Sequence, residues 1–110
     1  MRIAEVVSDN VLIHSLQDGL DILVDVYYQD VDRMILHAKN ITPAFFDLKT
    51  GLAGGILQKF SNYRMRLAIV GDFSQYPGES IGAFITESNR QGRINFVGSL
   101  EEAKVRLFAL

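Results

Sequence analysis

The side chains able to do chemistry fall in a few short stretches. Asp47-Leu48-Lys49-Thr50-Gly51 gathers an acid, a base and a hydroxyl just ahead of a glycine. A threonine in that place has two uses. It starts or caps a helix, with Gly51 permitting close backbone packing, or it stands as a modifiable or partner-contacting group. A second stretch, Gly71-Asp72-Phe73-Ser74, leaves the end of an apolar run. In open α/β sheets ligands gather beyond the carboxyl ends of strands. With Asp47 on the same rim, Asp72 would supply the pair of acids from which a catalytic site is built. Asp and Ser after a strand also cap turns, and that plainer use is the expected one. We assign no catalytic residue.

The remaining candidates are weaker. Gly51, Gly54 and Gly55 suggest a phosphate-cradling loop, but Gly-Leu-Ala-Gly-Gly has neither Walker spacing with its Lys-Ser/Thr nor the dinucleotide fingerprint. Glycine inside a helix costs about 1 kcal/mol against alanine, so the pair points to a close helix contact. His14 and His37 lie far apart, and the chain has no cysteine. We therefore expect no metal, no disulfide and no cofactor. Phe45-Phe46 cannot both point inward across a helix start, so one is expected to be exposed or to act as a staple. With Tyr76 it would form the aromatic anchor of an interface, while Tyr27 belongs to the core. Arg64, Arg66, Arg90 and Arg93 read as solvated charges at loops and strand ends.

Positioning these groups requires a regular frame, and the hydrophobic pattern supplies one. Ile3 to Val7 and Val11 to Ile13 are β-prone runs joined by Ser8-Asp9-Asn10, which predicts an antiparallel hairpin. Leu16, Leu20, Leu23, Val24 and Tyr27 recur at helical spacing, with Ser15 and Asp18 at the start. Arg33 to Leu36 reads as a buried strand. Pro43 places the next helix after Thr42, and its apolar stripe runs through Leu48, Leu52, Ile56, Leu57, Phe60 and Tyr63.

Leu67 to Val70 has the continuous apolar character of a central parallel strand. Pro77-Gly78 marks a loop, followed by a third helix through Ile81, Phe84, Ile85 and Ser88 and ended by Gly92. Ile94 to Val97 is the last strand. Ser99-Leu100-Glu101-Glu102 is a capping box opening a final helix with Leu100, Ala103 and Leu107 inward. The order is β-β-α-β-α-β-α-β-α, an α/β sandwich with a mainly parallel sheet of about five strands and about four helices.

Composition agrees with one domain over residues 1–110. The 110 residues are 48% apolar and 22% charged, with a formal charge of −2. That balance gives no electrostatic reason to expect nucleic acid or an anionic membrane surface as partner. No apolar run approaches the roughly 20 residues of a membrane span. The first residues lack an apolar stretch and carry Glu5, so we expect a cytoplasmic protein without a secretion signal.

Two resemblances arise. Ile35-Leu36-His37-Ala38-Lys39-Asn40-Ile41, Asp47-Leu48-Lys49-Thr50-Gly51-Leu52 and Leu67-Ala68-Ile69-Val70-Gly71 resemble the centre of the STAS domain of sulfate transporters and anti-sigma factor antagonists. Phe96-Val97-Gly98-Ser99-Leu100-Glu101-Glu102-Ala103 is similar to that family's last strand and helix. The stretches Phe45 to Gly54, Ile56 to Phe60, Leu67 to Ser74 and Glu87-Ser88-Asn89 resemble a bacterial family known only as domain of unknown function 4180.

The STAS resemblance implies the fold, and it implies that Thr50, just before Gly51, sits where antagonists are phosphorylated by a partner kinase. Here Asp47 lies three residues before the hydroxyl rather than two, and Lys49 replaces a small hydroxyl residue. The expected function is a non-enzymatic protein-interaction module. Its contact surface comprises Asp47, Lys49, Thr50 and Gly51, with Phe46, Asp72, Phe73 and Ser74 on a neighbouring rim. The alternatives are a small-molecule site or minor enzyme at that rim, and a structural homo-oligomer such as a homodimer.

Overall fold

Connections between parallel strands are right-handed, so a sheet whose strands are added in one direction receives every crossover helix on the same face. The computed structural model, which describes residues 2–76 and 78–108, follows this rule. Strands β1 (Ile3–Glu5), β2 (Arg33–His37), β3 (Arg66–Val70) and β4 (Ile94–Val97) lie in the order β1-β2-β3-β4 and are parallel throughout. The crossover helices are α1 (Leu16–Tyr27), α2 (Leu52–Asn62) and α3 (Glu79–Gln91). Leu23, Val26, Ile56, Phe60 and Ile81 from these helices share one core with Met34, Leu36, Leu67, Ile69, Ile94 and Phe96 of the sheet. The alternate strand residues Ile35, Ala68 and Val97 face the other way and meet Ala103 and Leu107 of α4 (Leu100–Phe108). The sandwich thus has three helices on one face and one on the other. Met1 and the Pro77 loop signal lie outside the described residues.

Local sequence chemistry sets several boundaries as expected. The Ser15 side chain accepts from Asp18 N–H at 3.1 Å, and Ser99 accepts from Glu102 N–H at 3.1 Å. Glu102 reaches back to Gly98 N–H at 3.2 Å, completing the box. Gly92 ends α3 in the left-handed region. The glycine pair in α2 splits in role. Gly55 faces Leu16 while Gly54 faces open space, and the tighter approach between α1 and α2 is Gly19 over Ile56. Among the described residues no helix is long and apolar enough to cross a membrane.

Three expectations are corrected. The hairpin does not form, so the sheet has four strands rather than five. Val11–Ile13 contributes one parallel bridge, Ile13 to Ile41. The cause is Asn40, buried and donating its Nδ2 to Ser8 O at 2.7 Å and Asn10 O at 2.8 Å. Leu12 and Ile13 N–H donate in turn to Asn40 O. The segment is therefore tied to the loop after β2 and cannot fold back on β1.

The second correction concerns the helix after Thr42. The chain makes 3-10 turns at Pro43–Phe46 and Leu48–Thr50, and α2 begins only at Leu52. Gly51 at φ +74° is left-handed, which no α-helix passes through. Third, Tyr27 is 43% exposed and packs edge-on against Tyr63 at 5.0 Å near the ends of α1 and α2.

Candidate functional site

Thr50 closes the second 3-10 turn and precedes the first residues of α2. The residue is exposed, yet its hydroxyl is fully engaged. Oγ1 donates toward Ala44 O and Asp47 O, each at 2.9 Å, and accepts from Leu52 N–H at 3.2 Å. One side chain therefore ties both turns to the start of α2, and it satisfies a helix N–H that would otherwise lack a partner. The Asp47 carboxylate does not meet this hydroxyl. It caps its own turn by accepting from Lys49 N–H at 3.2 Å. Gly51 is exposed, and its positive φ redirects the chain into α2.

The two turns form one wall of a cavity of about 550 Å³, lined by Pro43, Phe46, Asp47, Leu48, Lys49, Tyr76, Gly78, Ser80 and Ile81. Phe45 and Phe46 are both buried, at 1% and 4% exposure, against the expectation that one would face outward. A 3-10 turn permits this because a second layer covers it. Tyr76 stacks on Phe46 at 4.2 Å with the rings 15° apart. Phe73 then packs against both Phe46 and Phe96. The aromatic stack joins the loops after β2 and β3 to β4. Burial pushes the Tyr76 phenol above its usual value. Asp47 and Lys49, both exposed, place opposite charges beside the apolar lining.

Asp72 and Ser74 stand apart from this cavity. Asp72 Oδ1 accepts from Ser74 Oγ at 2.6 Å and Ser74 N–H at 3.1 Å, capping the 3-10 turn Phe73–Gln75. Those hydrogen bonds, the hydroxyl's first, hold the carboxyl below the ordinary range. Asp72 lines a neighbouring cavity of about 470 Å³ with His37, Gly71 and Tyr76. Asp47 and Asp72 therefore line different hollows, with Tyr76 and Pro43 shared between them. The fold runs β1 to β4 without reversal, so it makes no switch-point crevice of the kind doubly wound sheets use.

His37 pairs with Glu5 across β1 and β2 at 2.7 Å, and His14 lies 3.6 Å from Asp18. Among the described residues no group of three His, Cys, Asp or Glu is gathered to hold a metal. Ser80 and Ile81 also line the first cavity, although sequence placed Ile81 only on the apolar stripe of the third helix and gave Ser80 no role. They come from the start of α3, and no local motif links them to the turns they face.

No curated protein and no solved structure matches this chain. A family model described as Domain of unknown function (DUF4180) matches residues 1–107.

Proposed function

The chain belongs to the DUF4180 family, and from that premise we propose that it is a non-enzymatic, STAS-like protein-interaction module with a switch at Thr50. The observation that carries the reading is the cavity beside that residue. Its aromatic and aliphatic lining has opposite charges at the side formed by Asp47 and Lys49. A buried apolar centre with a polar rim is the arrangement that takes an anchoring side chain from another protein. The occupant is an apolar side chain on a partner's surface, oriented by charges that pair with Lys49 and Asp47.

The switch follows from the hydroxyl's bonds. A phosphate on Oγ1 adds about −1.5 to −2 charge and removes the proton shared by two carbonyls. The ester oxygens then face Ala44 O and Asp47 O, and the tie between the two turns and α2 is lost. Because those turns build the cavity wall, modification dismantles the contact surface. The helix start favours the added charge at the same moment, so the released turn has a second conformation to adopt. This goes with a cytoplasmic setting and a kinase as modifying partner.

The test is affinity capture from the native host with the wild type, followed by calorimetry on each purified captured protein. The reading expects a protein whose affinity falls at least about tenfold with both Lys49→Glu and Thr50→Glu. It fails if no captured protein distinguishes the wild type from these two variants.

A further inference from the structure

Six of the chain's seven arginines converge on one hollow of about 560 Å³ at the amino-terminal end of the sheet, opposite Thr50. Arg33 and Arg66 begin β2 and β3, Arg64 lies two residues before β3, and Arg93 immediately precedes β4. Arg90 and Arg106 come from the last turns of α3 and α4. Asp32 is the one acid that the described residues contribute to the lining.

Part of this gathering is architectural. Arg33 Nε donates to Leu107 O at 2.6 Å, and Arg66 donates to Leu107 O, Arg106 O and Gly92 O. Arg106 donates to Asn89 O at 3.2 Å. These cations serve carbonyls at the carboxyl ends of α3 and α4, where helix dipoles favour positive charge. Arg90 is held bidentately by Glu87, at 2.9 and 2.6 Å. None of this accounts for Arg64 and Arg93. Both are exposed, and among the described residues neither guanidinium has a hydrogen bond or an ion pair.

Two features set the cluster apart from scattered surface charge. Among the described residues, the acids paired with these six arginines are Asp32, on Arg33, and Glu87, on Arg90, so cations outnumber acids here in a chain of formal charge −2. The cations repel one another here: burial, then Arg33 and Arg93, push the Arg66 guanidinium below its usual value, with Asp32 opposing them. Second, Arg64 sits at φ 55°, beyond the end of α2, where Met65 N–H closes back to Phe60 O at 2.9 Å. This left-handed place after a helix is one glycine fills without strain. An arginine there keeps its side chain at a conformational cost.

We propose that the hollow binds a compact phosphorylated ligand, with Arg64 and Arg93 gripping a phosphate dianion and the partly buried arginines supplying the field behind them. The planar guanidinium fork matches phosphate oxygens in pairs. The rest of the molecule is acidic, so an extended nucleic acid strand leaving the hollow would run over like charge. That restricts the ligand to a small phosphate compound, either inorganic or a phosphate monoester.

Calorimetry on the full chain at low and physiological salt, with phosphate, pyrophosphate and a nucleoside monophosphate, tests this. Saturable binding is expected for at least one compound, with a Kd below about 1 mM. Arg64→Gly and Arg93→Gln each weaken it at least about tenfold. Arg64→Gly leaves the thermal midpoint undiminished because glycine accepts the left-handed turn, so lost binding reports the side chain and not the fold. Equal affinity for pyrophosphate and the ester assigns an inorganic ligand; tighter binding of the ester assigns an organic one. The proposal is overturned by absence of saturable binding, by binding that both variants retain, or by a single-stranded oligonucleotide binding more tightly than every small phosphate. The Thr50 reading lies at the other end of the sheet and is untouched by any of these results.

Discussion

Replacing Thr50 with valine keeps the shape of the side chain and removes its hydroxyl. Three contacts go: the shared donation to Ala44 O and Asp47 O, and the acceptance from Leu52 N–H. The two carbonyls keep a backbone partner each, since Asp47 N–H donates to Ala44 O and Thr50 N–H to Asp47 O. The loss therefore falls chiefly on Leu52 N–H at the start of α2. Removing a capping oxygen costs about 1 kcal/mol, and an intramolecular hydrogen bond contributes about 1 kcal/mol net. Because water reaches this exposed site, the effects do not add fully, and about 1 to 1.5 kcal/mol is expected. For a chain this size that lowers Tm by roughly 4–8 °C. Urea unfolding of the wild type, Thr50→Ser and Thr50→Val measures it, with unchanged m-values confirming that stability alone has moved. Serine retains the tie and stays within about 0.5 kcal/mol of wild type. A valine variant as stable as the wild type would refute the idea that this hydroxyl holds the two turns to α2, and with it the route by which phosphorylation would release them.

Other outcomes follow from single contacts. A Cβ at Gly71 would lie 2.6 Å from Ala38 Cβ, so Gly71→Ala costs about 1–3 kcal/mol by overpacking. Ala38→Gly in the same chain restores most of that loss, and thermal unfolding of the single and double variants checks it. Glu87 is lowered from 4.5 to about 2, first by the Arg90 hydrogen bonds and then by Gln91. A depressed carboxylate stabilises the fold fully above its unfolded value and loses that contribution as pH falls through the folded one. Its share is therefore complete above about pH 4.5 and disappears toward pH 2. Glu87→Gln flattens that part of the acid limb. A carboxyl NMR titration placing the Glu87 midpoint near 4.5 would contradict the assignment.

The parts of this protein that could be read in sequence are those that short-range chemistry decides. Ser15 with Asp18, Ser99 with Glu102, and Gly92 mark helix ends by bonds spanning four residues or fewer. The apolar runs of β2, β3 and β4 are buried on both faces and announce themselves by composition. The misreadings involve distant partners. Val11–Ile13 has strand character, but Asn40 determines what it pairs with, across thirty residues in the case of Asn10. Phe45 and Phe46 can both be buried only because Tyr76 arrives from the loop after β3 to cover Phe46. At the candidate site, sequence led to an expected contact surface with Phe46, Asp47, Lys49 and Thr50, of which the first three line one cavity. It did not reveal that Asp72 would line a different cavity, or that Ser80 and Ile81 would complete the first.

Hydrophobic period and capping residues were enough to determine the four paired strands, the existence of the four helices and a parallel α/β arrangement, because each depends on neighbours along the chain. Only the tertiary structure decided which side chains share a cavity. The arginines show this most plainly: they occupy positions from 33 to 106, and nothing in their spacing marks them as a set. Parallel strands align their starting ends in space, and α3 and α4 terminate at that same edge. The sheet's geometry thus turns charges scattered along the chain into one field, just as it separates Asp47 from Asp72.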